Sequence, residues 1–156
     1  MTDFESDQQS TIVGSRFPVL FQRQVTLFLA VCVVDLGSKW LAFQVGIYRP
    51  LVTPGLNRDL ALGIVSTSAP RAALVGLTLA AIALLVHSAL LSRATAVSWL
   101  ILPLVAGGAV ANASDRLATG AVHDWLNLGV AVANIADFAL LAGLMLYVRI
   151  SWTEHS

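Results

Sequence analysis

The chain has 156 residues, of which 57% are hydrophobic and only 12% are charged, and its mean hydropathy is +0.79. Soluble domains carry roughly 25% charged residues, so this composition excludes an ordinary water-soluble protein. Nine Lys and Arg residues balance nine Asp and Glu residues, which leaves no basic surface for nucleic acid. The single Cys and three scattered His residues form no metal-ligand pattern, and we therefore expect no metal and no other cofactor.

The N-terminal stretch is polar and carries three acidic residues before its first Arg, unlike the basic start of a cleavable signal peptide. We predict that residues 1–24 are a disordered tail. A membrane-spanning helix needs about 20 mostly apolar residues. Four segments approach that length: residues 25–45, 72–91, 96–110 and 128–148. The predicted fold class is an all-α membrane protein with four transmembrane helices, which form one domain over residues 25–150 and are followed by a short tail, residues 151–156.

The links between the spans suggest their arrangement. Residues 46–71 contain three Pro residues and short β-leaning pieces such as LALGIV, so we expect a small extramembrane β element, a strand pair, between the first two spans. The link around Arg93 is short enough only for a tight helical hairpin, which predicts an up-and-down order. Arg residues are divided equally between the two sides, so the positive-inside rule leaves the orientation open.

Charged residues inside the first span are the first functional signal. Asp35, Ser38 and Lys39 are spaced i, i+3 and i+4, which places them on one helical face. Charges in a span cost several kcal/mol on insertion scales, and they persist mainly where they face a bundle interior or a wet cavity. Two interpretations remain open at this point. The residues are either a self-neutralising ion pair that helps the bundle pack or part of a functional site.

The end of the third span carries a second polar group. Asn112, Asp115 and Arg116 share one helical face, just after two Gly residues that allow close helix packing. One interpretation is an Asp–Arg pair at the membrane interface, and the other is a site. Asp124 follows in a short β-leaning stretch, AVHDW, where it is either a solvated loop residue or a further site residue.

The fourth span contains Asn134 and Asp137 in an otherwise apolar segment that has no basic residue. Thirteen residues separate Asp124 from Asp137, which is enough chain to bring the two carboxyls together. Two adjacent carboxyls share a proton near neutral pH and can act as acid and base in peptide hydrolysis. A proton-coupled transporter would use the same residues, but four helices without inverted repeats suit alternating access poorly.

Five segments, in this order, resemble the motifs of the lipoprotein signal peptidase family (signal peptidase II, or prolipoprotein signal peptidase), which are bacterial aspartyl membrane peptidases. The segments are VVDLGSKW, NRDLALG, GGAVANASDR, VHDW and ANIAD. The second departs from the family pattern because Asp59 replaces a Gly and Leu62 a Phe. The others depart at Ala111, Trp125 and Ala133, which stand where the family has Gly, Phe and Phe.

The resemblance implies roles for nine residues. They are the catalytic dyad Asp124 and Asp137, the substrate-binding residues Asn57, Asn112, Arg116 and Asn134, and the supporting residues Asp35, Lys39 and Asp115. It also implies that the substrate is a prolipoprotein cleaved just before a Cys that carries a diacylglyceryl group. The protein would lie in the bacterial cell (inner) membrane with both termini cytoplasmic and the active site facing the exterior or periplasm. We expect membrane lipids as its surroundings, no nucleic acid partner and a monomer.

Two departures keep other functions open. Asp59 adds a third carboxylate, which would raise the pKa of the dyad or restrict the approach of substrate. The stretch between Asp124 and Asp137 is short for the family. The alternatives are a catalytically silent relative that binds lipoproteins, and a small transporter or assembly subunit.

Overall fold

The computed structural model describes residues 3–45, 50–59 and 98–154, together with residues 75, 76, 78, 79 and 83, which are helical. Three continuous helices and one three-stranded antiparallel sheet lie within the described ranges. In chain order the elements are α1 (Asp3–Val45), β1 (Val52–Asn57), α2 (Ser98–Thr119), β2 (Val122–Asn127), β3 (Val132–Ala133) and α3 (Ile135–Glu154). Most of the predicted second span, the predicted hairpin around Arg93 and the LALGIV segment lie outside the described residues.

Helix α1 is longer than the predicted first span. It begins at Asp3 rather than at residue 25, so it runs through most of the stretch predicted to be disordered. The physical reason is that adding residues to an existing helix costs far less than starting one. Gly14 and Pro18 are the strong helix breakers in this stretch. The apolar part of α1, Val19–Val45, is long enough to cross a membrane.

The other two helices differ from the predicted spans at their ends. Helix α2 continues nine residues beyond the predicted end at residue 110 and stops where Gly120 adopts a φ of 83°, a conformation that commonly follows a helix. Helix α3 begins at Ile135, not at residue 128, because residues 128–134 form a turn and β3 instead. Gly129, also at a φ of 83°, makes that turn. Residues 135–153 of α3 are long and apolar enough to span a membrane.

The sheet has the order β1-β2-β3, and each neighbouring pair is antiparallel. Strand β1 confirms a β element in the link after the first span, but its described partner is β2, which follows α2, rather than a second strand of the same link. The register pairs Gly55 with Asp124 and Asn57 with Val122. Pairing with β2 places the end of β1 beside the residue that the sequence singled out in AVHDW.

Small residues bring the three helices close together. A Cβ on Gly107 would lie 2.9 Å from the Val31 Cβ of α1, and a Cβ on Gly108 would lie 2.5 Å from the Ala136 carbonyl oxygen at the start of α3. Neither position has room for a side chain, so α2 packs between α1 and α3 at close range. This packing brings the polar residues of α1 and α2 next to the first turn of α3.

Large apolar side chains cover the outside of the bundle. On α1, Val33 and Trp40 are more than 60% exposed, as are Met145 and Trp152 on α3. Only 17% of the most apolar window of each of these two helices is buried. A soluble protein rarely exposes apolar surface so continuously, whereas a lipid bilayer covers it without cost. The protein is accordingly a membrane protein.

Candidate active site

A cluster of buried polar side chains lies where the ends of α1 and α2 meet the start of α3 and the sheet. Seven of the nine residues singled out by the sequence belong to the buried polar set. They are Asp35, Lys39, Asn112, Asp115, Arg116, Asp124 and Asn134. Asp137 and Asn57 are partly buried and are hydrogen bonded to members of this set. Buried polar groups are stable only when they are paired, so the contacts within the cluster define it.

The start of α3 is held by a reciprocal cap. The Asp137 backbone N–H donates to Asn134 Oδ1 at 2.9 Å, and the Asn134 backbone N–H donates to Asp137 Oδ2 at 3.2 Å. This is a capping box, in which a residue before the helix and the third residue of the helix satisfy each other's free N–H groups. The cap fixes the Asp137 carboxyl in the first turn, where the helix dipole favours a negative charge.

Asn134 also binds the second predicted catalytic carboxyl. Its Nδ2 donates to Asp124 Oδ1 at 2.6 Å and to Asn112 Oδ1 at 3.2 Å. One residue therefore contacts both carboxyls, Asp124 through its side-chain nitrogen and Asp137 through its cap. The structure brings together the two residues that the sequence placed thirteen positions apart.

Strand β1 supplies a second donor to Asp124. Asn57 Nδ2 donates to Asp124 Oδ2 at 2.8 Å, while Asn57 Oδ1 accepts from the Asp59 backbone N–H at 2.9 Å. The second bond is an Asx turn, which orients the Asn57 amide with its nitrogen toward Asp124. Burial raises the pKa of Asp124 above its ordinary value, whereas the hydrogen bonds from Asn57 and Asn134 oppose that shift.

Helix α2 contributes the donor to Asp137. Asn112 Nδ2 donates to Asp137 Oδ1 at 2.9 Å, and Asn112 Oδ1 accepts from Lys39 Nζ at 3.0 Å. Asp137 thus has a donor at each carboxyl oxygen, one from α2 and one from its own cap. Asn112 connects the carboxyl pair to the charged residues of α1.

The charged residues of α1 form a compact group with α2 and α3. Lys39 Nζ lies 2.6 Å from Asp35 Oδ2, which is the i, i+4 pair predicted from the sequence, and 2.8 Å from Asp115 Oδ2. Asp35 Oδ1 accepts from the Ala136 backbone N–H at 2.7 Å. Asp35 therefore satisfies a free N–H in the first turn of α3, next to Asp137.

Asp115 and Arg116, both of which the structure describes, form no ion pair with each other, although an Asp–Arg pair was one of the two interpretations of this polar group. Among the described residues, Asp115 pairs with Lys39 and with His123, whose Nδ1 lies 3.2 Å from Asp115 Oδ1 and whose backbone N–H donates to Asp115 Oδ2 at 3.1 Å. Arg116 instead donates from Nη2 to the Asp59 carbonyl oxygen at 3.2 Å. Successive residues on a helix point in different directions, so neighbours in sequence do not face each other.

Two residues of the cluster, His123 and Ala136, were not singled out from the sequence. The His123 contact joins a strand to a helix and has no periodic signal. The Ala136 contact uses a backbone N–H, which no residue type reveals. The spacing of Asn134 and Asp137 does match a helix-start pattern, and from that pattern the free N–H groups around residue 136 could have been located.

Comparisons with known proteins identify the family of this chain. The family model for signal peptidase (SPase) II matches residues 27–153. Among curated relatives, the lipoprotein signal peptidase of Nitrobacter hamburgensis is 32% identical over 137 residues, which cover 75% of this chain and 84% of that protein. The lipoprotein signal peptidase of Rhodopseudomonas palustris is 27% identical over 140 residues, which cover 78% and 85%. The match to the lipoprotein signal peptidase of a Methylobacterium strain is 39% identical over 87 residues, 46% of this chain and about half (53%) of that protein.

Solved structures show the same fold. A bacterial membrane enzyme determined by the in meso method at 2.3 Å superimposes with a TM-score of 0.74 at 20% identity, over 86% of this chain and 90% of that one. A second one, at 1.9 Å, gives a TM-score of 0.63 at 19% identity, over 83% and 92%. The family model covers most of the chain and includes every residue of the polar cluster. The chain belongs to the signal peptidase II family.

Proposed function

We propose that this protein is an aspartyl endopeptidase that removes signal peptides from diacylglyceryl-modified prolipoproteins, cleaving just before the lipidated Cys, with Asp124 and Asp137 as the catalytic dyad. The observation that carries the proposal is that Asn134 contacts both carboxyls, at 2.6 Å to Asp124 and through the cap to Asp137. Family membership supports the substrate class, since relatives are lipoprotein signal peptidases.

The pair supplies both halves of acid–base catalysis. Two carboxyls held together cannot both ionise cheaply, so they share one proton and titrate as a unit. The ionised member takes a proton from water as the oxygen attacks the scissile carbonyl carbon. The protonated member donates its proton to the developing oxyanion. When the tetrahedral intermediate collapses, the member that took the proton from water donates it to the leaving amine, and the other member recovers a proton from the hydroxyl that becomes the new carboxyl group. The neutral amides of Asn57, Asn112 and Asn134 hold the carboxyls in place without supplying a charge to neutralise them.

The same amides and Arg116 form the proposed substrate-binding set. Arg116 is 9% exposed, and its Nε has no hydrogen-bond partner among the described residues. An unsatisfied buried N–H is costly, and a substrate carbonyl oxygen would satisfy it. Its Nη2 is held by the Asp59 carbonyl oxygen, which aims the guanidinium across the end of β1.

Asp59, which replaces a Gly of the family motif, is compatible with this site. Its backbone N–H binds Asn57 and its carbonyl oxygen binds Arg116, and a Gly would make both contacts equally well. The substitution therefore preserves the turn that orients Asn57. The hairpin between Asp124 and Asp137 is closed by the Leu128 N–H, which donates to the Ala131 carbonyl oxygen at 2.9 Å, so a short connection suffices to position both carboxyls.

The proposed function also includes a membrane topology. Four transmembrane helices, with residues 72–91 as the second, would place both termini on the same side of the membrane. By the family resemblance that side would be the cytoplasm, with the active site at the outer or periplasmic face. A substrate anchored by acyl chains presents its scissile bond at the depth of the bilayer surface. We expect the enzyme to work as a monomer surrounded by lipid.

The test is cleavage by the purified protein in lipid or detergent micelles. A prolipoprotein carrying a diacylglyceryl Cys should be cut just before that residue, as shown by mass spectrometry of both products. The same precursor without the lipid should be cut at least about tenfold more slowly, because the acyl chains contribute membrane affinity. Asp137→Asn is the inactive control. If the wild type binds the lipidated precursor but does not cleave it, the protein is a catalytically silent lipoprotein-binding relative and not a peptidase.

A further inference from the structure

The ammonium group of Lys39 is fully enclosed and has three oxygen partners, of which one is the side chain of Asn112. We propose that Lys39 is a positioning residue of the peptidase, which holds the Asn112 amide in the orientation that lets its nitrogen donate to Asp137. This inference rests on the proposed function, because it assigns Lys39 a part in that reaction rather than in the fold alone.

The orientation of the amide follows from the donors around it. A Lys ammonium can only donate, so the Asn112 atom 3.0 Å from Lys39 Nζ must be the oxygen. Asn134 Nδ2, a second donor, approaches the same oxygen at 3.2 Å. The Asn112 nitrogen is thereby directed at Asp137 Oδ1, 2.9 Å away. A reversed amide would face its NH₂ group toward two donors and its oxygen toward a carboxylate.

Lys39 is itself held rigidly. Asp35 Oδ2 lies 2.6 Å and Asp115 Oδ2 lies 2.8 Å from Nζ, so carboxylates from α1 and α2 fix the ammonium. The residue is only 3% exposed, which leaves it no surface for a substrate to touch. Lys39 can therefore act on turnover through its charge, which opposes the rise in the pKa of Asp124, and through its partners, of which Asn112 is the one whose side chain is hydrogen bonded to the dyad.

Lys39 affects catalysis through the position of the Asp137 carboxyl. The Asp137 carboxyl has two anchors, the Asn134 backbone N–H at 3.2 Å and Asn112 Nδ2 at 2.9 Å. Without the Lys39 contact the Asn112 oxygen keeps only the longer hydrogen bond from Asn134, at 3.2 Å, so the amide is held less firmly and the shorter anchor of the carboxyl is weakened. A catalytic group that is misplaced by a fraction of an ångström loses much of its rate advantage. A purely structural Lys39 would instead affect only how much protein folds.

A double-mutant cycle separates these two roles. Lys39→Met should lower kcat by about 10- to 100-fold, the size expected for loss of a charge-assisted hydrogen bond, with KM changed by less than about twofold. In an Asn112→Ala background, the same Lys39→Met change should alter kcat by less than about threefold, because the path to Asp137 is already cut. Equal losses of kcat in both backgrounds would overturn the proposal.

Two further variants serve as controls for effects on folding. Asp35→Asn/Lys39→Met keeps the formal charge of the group formed by Asp35, Lys39 and Asp115 unchanged, so it should fold more readily than Lys39→Met and show the same loss of kcat. Val31→Ala removes apolar contact between α1 and α2 at a residue 8% exposed and away from the polar cluster. It should lower stability while keeping kcat per folded molecule. Wild-type kcat in the charge-balanced double variant would sink the proposal.

Failure of the inference is distinct from failure of the proposed function. If the wild type cleaves the lipidated precursor and both Lys39→Met variants match its kcat, Lys39 is structural and the peptidase assignment stands. If the wild type does not cleave, the proposed function is overturned and this inference falls with it.

Discussion

The buried polar cluster has two halves that are built differently. In the charged half, the Lys39 ammonium lies between two carboxylates at 2.6 and 2.8 Å, so each carboxylate is paired with a positive charge. In the carboxyl–amide half, Asp124 and Asp137 are held by amide and backbone N–H groups at 2.6–3.2 Å. Paired charges have little reason to change protonation state, whereas carboxyls held by neutral donors remain able to exchange a proton. The difference assigns stability chiefly to the first half and proton transfer to the second.

The largest predicted effect on stability comes from breaking the charged half. Lys39→Met leaves Asp35 and Asp115 buried without their cation, and removal of one partner of a buried ion pair costs about 3–5 kcal/mol. Asp35→Asn/Lys39→Met should recover part of that loss, since one stranded anion is removed as well. Unfolding in detergent, followed by circular dichroism, measures both. A double variant less stable than Lys39→Met would argue against charge compensation as the main role of Asp35.

An intermediate effect is expected at Asn134, which serves both the helix cap and the dyad. Asn134→Ala loses the cap, at about 1–2 kcal/mol, and leaves Asp124 without one of its donors. Asn134→Ser keeps a capping oxygen but lacks the nitrogen that binds Asp124, so it should be more stable than Asn134→Ala and remain comparably impaired in turnover. Thermal unfolding and the cleavage assay, run on both variants, test this. Recovery of turnover by the Ser variant would show that the cap alone matters.

The smallest effect is a pH dependence that arises from Asp124. Burial raises the pKa of this carboxyl in the folded protein, so the folded state binds more protons than the unfolded state above about pH 4. Wild-type stability should therefore fall, relative to Asp124→Asn, as the pH rises from that value through the raised pKa. The loss of stability relative to Asp124→Asn amounts to about 1.4 kcal/mol for each unit by which the pKa of Asp124 in the folded state exceeds that in the unfolded state.

Unfolding of both proteins between about pH 3 and pH 7 gives this comparison. A wild type that gains stability over Asp124→Asn as the pH rises would show that the hydrogen bonds from Asn57 and Asn134 outweigh burial.

The members of the buried polar cluster were easier to predict from the sequence than their hydrogen-bond partners. Isolated polar residues in apolar helices are visible in any hydropathy pattern, and the i, i+4 pair of Asp35 and Lys39 follows from helix geometry alone. The contact between Lys39 and Asp115 joins residues 76 positions apart in the sequence and depends on how α1 packs against α2. That packing rests on close contacts at Gly107 and Gly108, whose distances no single-sequence pattern supplies.

Element ends were the less predictable part of the fold. The apolar run from residue 128 favoured a helix, but the turn at Gly129 and the cap at Asn134 start α3 seven residues later. Local hydrogen bonding by a side chain overrides hydropathy at such a boundary. The partner of β1 was missed for a similar reason, since strand pairing over about 70 residues is set by tertiary structure.

The central claim is that Asp124 and Asp137 act as one unit, and a four-protein cycle tests it most directly. Wild type, Asp124→Asn, Asp137→Asn and the double variant are assayed on one lipidated precursor, with precursor binding measured in parallel. Each single variant should lose at least about 1,000-fold in kcat while it still binds the precursor, and the double variant should be scarcely worse than either. Cleavage at the wild-type rate by either single variant, or a double variant whose loss equals the product of the two single losses, would contradict the shared-proton dyad.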